Sequence, residues 1–266
     1  MSEQQPRGVR DVKSAARTVD LLEVLGGLEG RPITLRELAD RMDVPRSSLY
    51  ALLQTLVNRG WVRTDATGSL YAIGVRALLV GTSYIDGDPR LALVKPHLDA
   101  LAEELGETVH FVRLDGSDVV YLATRESRHY LRPFSRVGRR LPAYTTSLGK
   151  SILAERPDTE WESLLPEPLA SLTDATLDRA ALLADLTATR ERGYAVDHGE
   201  NTVGLHCIGM ALRYDTPVVD AMSCSIPAAR MTPEIERTVI EALDRTRLSI
   251  EKAALGSTLP ASVAWR

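Results

Sequence analysis

In "TLRELADRM" the apolar residues fall at Leu35, Leu38, Ala39 and Met42, the i, i+3, i+4, i+7 spacing of one helix face. Thr34 and Glu37, three apart at its start, form a capping box: each side chain accepts a backbone N–H near the other residue. Asp43, Val44 and Pro45 then break the helix, because proline disfavours helical geometry in the residue before it yet suits the start of the next helix. Leu49, Leu52, Leu53 and Leu56 predict that next helix over 46–58, and Gly60 stops it. Upstream, Ala15, Val19, Leu22 and Leu25 predict a helix over about 14–25, completing the core. Downstream, "WVRTDATGSLYAIG" reads as two short strands around a turn at 65–69. Helices followed by a hairpin predict a winged helix-turn-helix over 14–74, after a tail at 1–13.

Beyond it, "GVRALLVGTSYIDGDPR" predicts an apolar-striped linker helix, assigned to 75–88, that ends at a Gly-Asp-Pro breaker. The next helix starts near Pro89, bends at Pro96 and repeats Leu91, Val94, Leu98, Leu101 and Leu105, a spacing that suits a core helix under a sheet. "TVHFVRL" and "DVVYLAT" predict neighbouring strands around 115–117, and "RAALLADLTATRERG" a helix closed by Gly193. Helices with a largely antiparallel sheet make residues 89–256 an α+β domain; 257–266 read as a tail. Two strands have unequal faces. In "HCIGMAL", Ile208, Met210 and Leu212 oppose Cys207, Gly209 and Ala211; in "DAMSCSI", Met222, Cys224 and Ile226 oppose Ala221, Ser223 and Ser225. Paired in register, their small faces would leave either a floor with room above it or a surface for a closely packed helix.

With the apolar stripe of 46–58 committed to packing, its opposite face carries Ser47, Tyr50, Ala51, Gln54 and Asn58, with Arg46 and Ser48 near the N-terminus. A merely solvated face usually carries Lys–Glu pairs. This one offers hydroxyls, an amide and an aromatic ring, groups that contact base edges and phosphates, at a helix end that favours phosphate. In such a module the second helix enters the major groove of double-stranded operator DNA, and Arg63, Thr67 and Ser69 are the expected wing contacts.

Charge agrees with that placement. The chain of 266 residues has net charge −4, which excludes nucleic-acid coating by bulk charge, but residues 1–76 hold 11 Lys+Arg against 9 Asp+Glu and the remainder 21 against 27. Its two cysteines, Cys207 and Cys224, make neither a disulfide framework nor a metal pattern, which fits a reducing cytoplasm. No apolar run reaches the roughly 20 residues of a membrane helix, and the first residues have no apolar signal core. The expectation is a soluble, cytoplasmic, unprocessed chain without cofactor or metal.

"SAARTVDLLEVL", "TLRELADRMDVPRSSLYALLQTLVNRGWV", "ETVHFVRLDGSDVVYLATRES", "SRVGRRLPAYTTSLGKSILA", "RERGYAVDHGEN", "GLHCIG" and "SCSIP" resemble, in order and spacing, the IclR-type bacterial transcriptional regulators. That resemblance implies a GAF-like C-terminal domain, a small effector, often an organic acid, and a homodimer paired through the linker helix, with dimers of dimers left open. It places effector contacts at Ser147, Leu148, Gly149, Asp197, Cys207, Ser223 and Ser225. If Leu148 and Gly149 open a helix, their N–H groups make an anion site suited to a carboxylate. Relatives commonly carry Arg at the position of Ala51 and often His at that of Tyr144. The expected function is a repressor of a catabolic operon released by its effector, with an activator as the alternative sign. A thiol-dependent enzyme using Cys207 with His206 and Asp197 is the competing class. Adjacent strand residues point to opposite faces, so His206 is badly placed to serve Cys207.

Overall fold

The structure, a computed structural model, describes residues 11–133 and 135–256 and divides into two compact units, one ending at Gly87 and one starting at Asp88. In the first unit α1 (Lys13–Gly27), α2 (Leu35–Met42) and α3 (Arg46–Asn58) bury Leu21, Leu25, Leu38, Leu49, Leu53 and Leu56 in one core. The capping box forms: Glu37 N donates to Thr34 Oγ1 and Thr34 N to Glu37 Oε2 at 3.2 and 3.0 Å. Asp43 then turns the chain with φ of 51°. Two core assignments are corrected: Ala15 and Val19 are exposed, Val19 by 54%, because α1 turns Leu21 and Leu25 inward and leaves both on its outer side.

The hairpin is β2 (Val62–Thr64) and β3 (Leu70–Ile73), and a two-residue strand missed in the sequence, β1 (Ile33–Thr34), adds to the other edge of β3. α4 (Val75–Gly87) buries none of its residues within the unit.

In the second unit α5 (Pro89–Leu105) is capped by Asp88, which accepts from Arg90 N and Leu91 N, and passes through Pro96 as one helix. There follow β4 (Thr108–Asp115), β5 (Asp118–Arg125), β6 (Arg140–Pro142), α6 (Ser147–Ala154), α7 (Asp158–Leu164), α8 (Arg179–Arg192), β7 (Ala195–Asp197), β8 (Leu205–Leu212), β9 (Asp220–Pro227) and α9 (Pro233–Gly256). Gly193 closes α8 with φ of 83°. The strands form an antiparallel sheet in the order β6-β5-β4-β9-β8-β7. α5 and α9 pack on one another and on the sheet, and α6 packs on the sheet and on α8. Together they form the α+β architecture expected of a GAF-like domain.

The register of β8 and β9 pairs small with small: Cys207 with Ser225, Gly209 with Ser223, Ala211 with Ala221. Bulky residues pair likewise, Ile208 with Cys224 and Met210 with Met222. The small side is the inner face, and it is not an open floor throughout. At Gly209 a Cβ would lie 2.7 Å from the carbonyl carbon and oxygen of Ser147, so the first turn of α6 rests on the sheet backbone there.

Candidate nucleic-acid interface and effector site

On α3, Arg46, Ser47, Ser48, Tyr50 and Ala51 are exposed, Tyr50 by 49%. Gln54 is half-buried because its amide meets the Tyr71 hydroxyl, which donates to Gly68 O at 3.0 Å. This face of α3 is therefore tied to the hairpin turn. No acidic residue stands in the first turn of α3, which leaves its N–H end attractive to phosphate.

Arg63 is exposed on β2. Thr67 and Ser69 hold the turn itself: Asp65 accepts from Thr67 Oγ1 at 2.5 Å, Ser69 N at 2.8 Å and Leu70 N at 2.9 Å, and the two hydroxyls lie 2.6 Å apart. These bonds hold the Asp65 carboxyl well below its usual range. A cleft lined by Lys13, Ser14, Arg17, Ser48 and Leu52 adds two cations beside the N-terminus of α3. The only sequence signal for them was the i, i+4 spacing of Lys13 and Arg17.

Asp197 pairs with Cys207, Cys207 with Ser225, and Ser225 with Thr108, so these four share one row of the inner face. The next row is Ala195, Gly209, Ser223, His110 and Thr124. The structure thus brings Asp197, Cys207, Ser223 and Ser225 together beside Ser147 and Leu148, and adds Thr108 and His110. Alternation in "TVHFV" could have found both. The Ser223 hydroxyl is fully buried and has no hydrogen-bond partner.

Gly149 is a correction. α6 opens at Ser147 with Thr146 as its cap, so Gly149 N donates to Thr146 Oγ1 at 3.0 Å and is not offered to a ligand. What Gly149 supplies is closeness, since a Cβ there would lie 2.1 Å from Ala143 O. Leu148 N belongs to the first turn, where no intrahelical acceptor exists. It faces the sheet, 2.9 Å from where a Gly209 Cβ would stand.

Burial raises the Asp197 carboxyl, opposed by backbone N–H groups of the following turn, Glu200 N at 2.7 Å among them. Lys150, 1% exposed, bridges Glu200 Oε1 at 2.7 Å and Asp185 Oδ2 at 2.8 Å. Burial pushes Glu200 up to about 7 despite that lysine, and its Oε2 is buried without a partner. Asn201 Nδ2 donates to Thr145 Oγ1 at 2.9 Å, a second tie between this turn and the start of α6. Sequence reasoning passed over Lys150 and Glu200 because nothing in their spacing marks them as partners.

The thiol-enzyme reading fails on the same geometry. His206 is in register with Ile226, on the side opposite Cys207, and its ring packs edge-on against His198 at 4.3 Å. Burial, then the Asp197 charge, push the Cys207 thiol far above its usual range, so it is not a thiolate at neutral pH. Among the described residues no cluster of three His, Cys, Asp or Glu is placed to hold a metal. No helix of the described residues is long and apolar enough to cross a membrane.

Comparison with known proteins bears on both units. A family model described as IclR helix-turn-helix domain matches residues 14–66, and one described as bacterial transcriptional regulator IclR C-terminal matches residues 82–252. The transcriptional repressor IclR of Escherichia coli is 34% identical over 229 residues, covering 84% of this chain and 83% of its own length. A transcriptional regulator structure from Rhodococcus superposes with a TM-score of 0.77 at 30% identity, covering 92% of this chain and 99% of that one. An IclR homologue from Microbacterium hydrocarbonoxydans, solved in complex with 4-hydroxybenzoate, shares the fold with a TM-score of 0.75 at 22% identity, covering 92% and 100%.

Proposed function

Because this chain belongs to the IclR family of bacterial transcriptional regulators, we propose that it is a cytoplasmic repressor of a catabolic operon, released when a small organic acid binds the inner face of its second unit. DNA is read by α3 through Arg46, Ser47, Ser48, Tyr50 and Gln54, with Arg63 on the wing strand and Lys13 and Arg17 on the backbone. The effector contacts Leu148, Asp197, Cys207, Ser223 and Ser225, with Ser147 at the start of α6. Thr67, Ser69 and Gly149 serve by shaping the turn and the α6 start.

The observation that carries this reading is the Ser223 hydroxyl. A buried hydroxyl without a partner costs about 1–3 kcal/mol, so a ligand that supplies the missing bond recovers that cost on binding. The repressor sign is supported by the relative of that name. Pairing into a homodimer is supported by α4, where Val75, Leu78, Leu79 and Val80 are more than half exposed in the chain alone.

The test is Ser223→Ala, which removes that hydroxyl without adding bulk at a fully buried position. The variant should fold and bind operator like the parent, yet lose affinity for effector by calorimetry and effector-dependent release. Unchanged affinity for effector would move the site elsewhere.

A further inference from the structure

After Arg46, its first residue, α3 carries neither lysine nor arginine. Guanine presents two acceptors in the major groove and is commonly met by the paired donors of a cation. Past its first turn this helix has no such pair to offer. Ala51 is exposed but brings only a methyl group, and the Thr55 hydroxyl is spent on Ala51 O at 2.9 Å. Asn58 carries an amide, exposed, as the last residue of the helix. Gln54 carries the other, one turn earlier, and it is half-buried.

The contact that half-buries Gln54 also orients it. Tyr71 stands on β3, 2% exposed, and donates its hydroxyl proton to Gly68 O at 3.0 Å. A phenol has one proton to give. Toward Gln54 its oxygen therefore accepts, and the amide meets it through Nε2. Burial raises the Tyr71 hydroxyl's pKa and the Gln54 bond opposes that rise, as a donor does. Gly68 in turn belongs to the hairpin turn that Asp65 holds by accepting from Ser69 N and Leu70 N.

A side-chain amide has two N–H donors and one carbonyl. With one N–H on Tyr71, a single N–H and Oε1 are left for a base. That pair matches adenine, whose N7 accepts while its N6 donates. Guanine, with N7 and O6 both accepting, would set O6 against Oε1.

We propose that Gln54 reads an adenine in the operator half-site, and that Tyr71 is the positioning residue that fixes the Gln54 amide for that base. This base assignment rests on α3 being the reading helix, and the experiment separates the two.

Full-length parent, Q54A, Q54E, Y71F and Y50A are each incubated with a pool of DNA duplexes randomised at their centre, and the bound duplexes are recovered and sequenced. The parent should enrich a motif in which one adenine is preferred over the other bases by about 5- to 150-fold. Q54A should lose that preference at that position alone. Q54E, which keeps the length of the side chain but only accepts, should move the position toward cytosine, whose N4 donates. Y71F keeps the ring and should relax the same position, less than Q54A does, with the other positions unchanged. That pattern is not expected of a merely structural loss, which would weaken all positions together. A Q54A-sensitive position that is a G·C pair overturns the adenine assignment and leaves α3 as the reader. A motif unchanged in Q54A and Q54E but altered in Y50A overturns the role of Gln54 alone, and one unchanged in all three overturns α3 as the reader. Y71F that selects like the parent while Q54A relaxes overturns the role of Tyr71. A parent that enriches no sequence overturns base reading by this helix.

Discussion

Replacing Gly209 by alanine adds one methyl group at the point where α6 rests on β8. That methyl would lie 2.7 Å from the Ser147 carbonyl carbon and oxygen and 2.9 Å from Leu148 N, all of them backbone atoms. Carbon atoms in good contact are about 3.5–4.0 Å apart, so the first turn of α6 must retreat by about 1 Å. No side-chain rotation relieves the clash. Overpacking of this kind costs about 1–3 kcal/mol, and a unit of this size loses about 2–4 °C in Tm per kcal/mol. The expected drop is therefore about 2–12 °C by calorimetry. Because Leu148 N–H and Ser147 border the Ser223 hydroxyl, effector affinity should fall as well, while operator binding by the first unit stays unchanged. Gly27→Ala, where a Cβ meets nothing within 4 Å, is the control and should leave Tm and affinity alone. A Gly209→Ala protein that melts and binds effector like the parent would refute the close approach of α6 to the sheet and the adjoining site with it.

Tyr50→Ala and Gln54→Ala should each cost about 1–3 kcal/mol at a cognate operator, chiefly as lost discrimination, whereas Arg46→Ala should weaken all sequences and reduce the salt slope by about 1. Gel-shift titrations at several salt concentrations separate the two, and three variants that all bind like the parent would rule α3 out as the reader. Leu78→Asp puts a charge on the exposed apolar side of α4. It should give monomers by sedimentation that bind effector but hold operator weakly, and a dimer that is still released by effector would count against pairing through α4. Glu200 has a folded pKa raised to about 7 from 4.5, so the folded protein holds a proton that the unfolded chain releases. Its contribution to stability is present below about 4.5 and is lost as pH rises through 7. Denaturant melts of Glu200→Gln should gain on the parent across that window and level off above it; curves that run parallel would exclude the shift.

The local parts of this molecule were legible because their causes are local. Thr34, Glu37 and Pro45 sit within a few residues of the helix ends they define, and the stripe of α3 predicted its bounds. The unequal faces of β8 and β9 were readable because side chains alternate, and their in-register pairing turned a compositional oddity into a continuous small face. What could not be read depends on contacts distant in sequence. Lys150 meets Glu200 across 50 residues, and β1 exists only because β3 has an open edge. The Gly149 N–H reads as an anion donor only if α6 starts at Leu148; its true start one residue earlier gives that N–H to the Thr146 cap. Val19 fits a helical stripe in sequence, yet the arc that meets the core is narrower and passes through Leu21 and Leu25.

Asp88 is both the cap of α5 and one end of an ionic chain. It pairs with Arg113 on β4, which grips Asp220 on β9 through two bonds of 2.7 and 2.8 Å, while the Tyr214 hydroxyl donates to Asp220 at 2.6 Å. Asp220 is fully buried and Asp88 nearly so. For anyone transplanting this sensor onto another DNA-binding module, the joint therefore belongs on the N-terminal side of Asp88. A fusion made one residue later would strip α5 of its cap and leave Arg113 one carboxylate short. The resulting chimera would report a weakened sheet where its builder meant to measure an altered response.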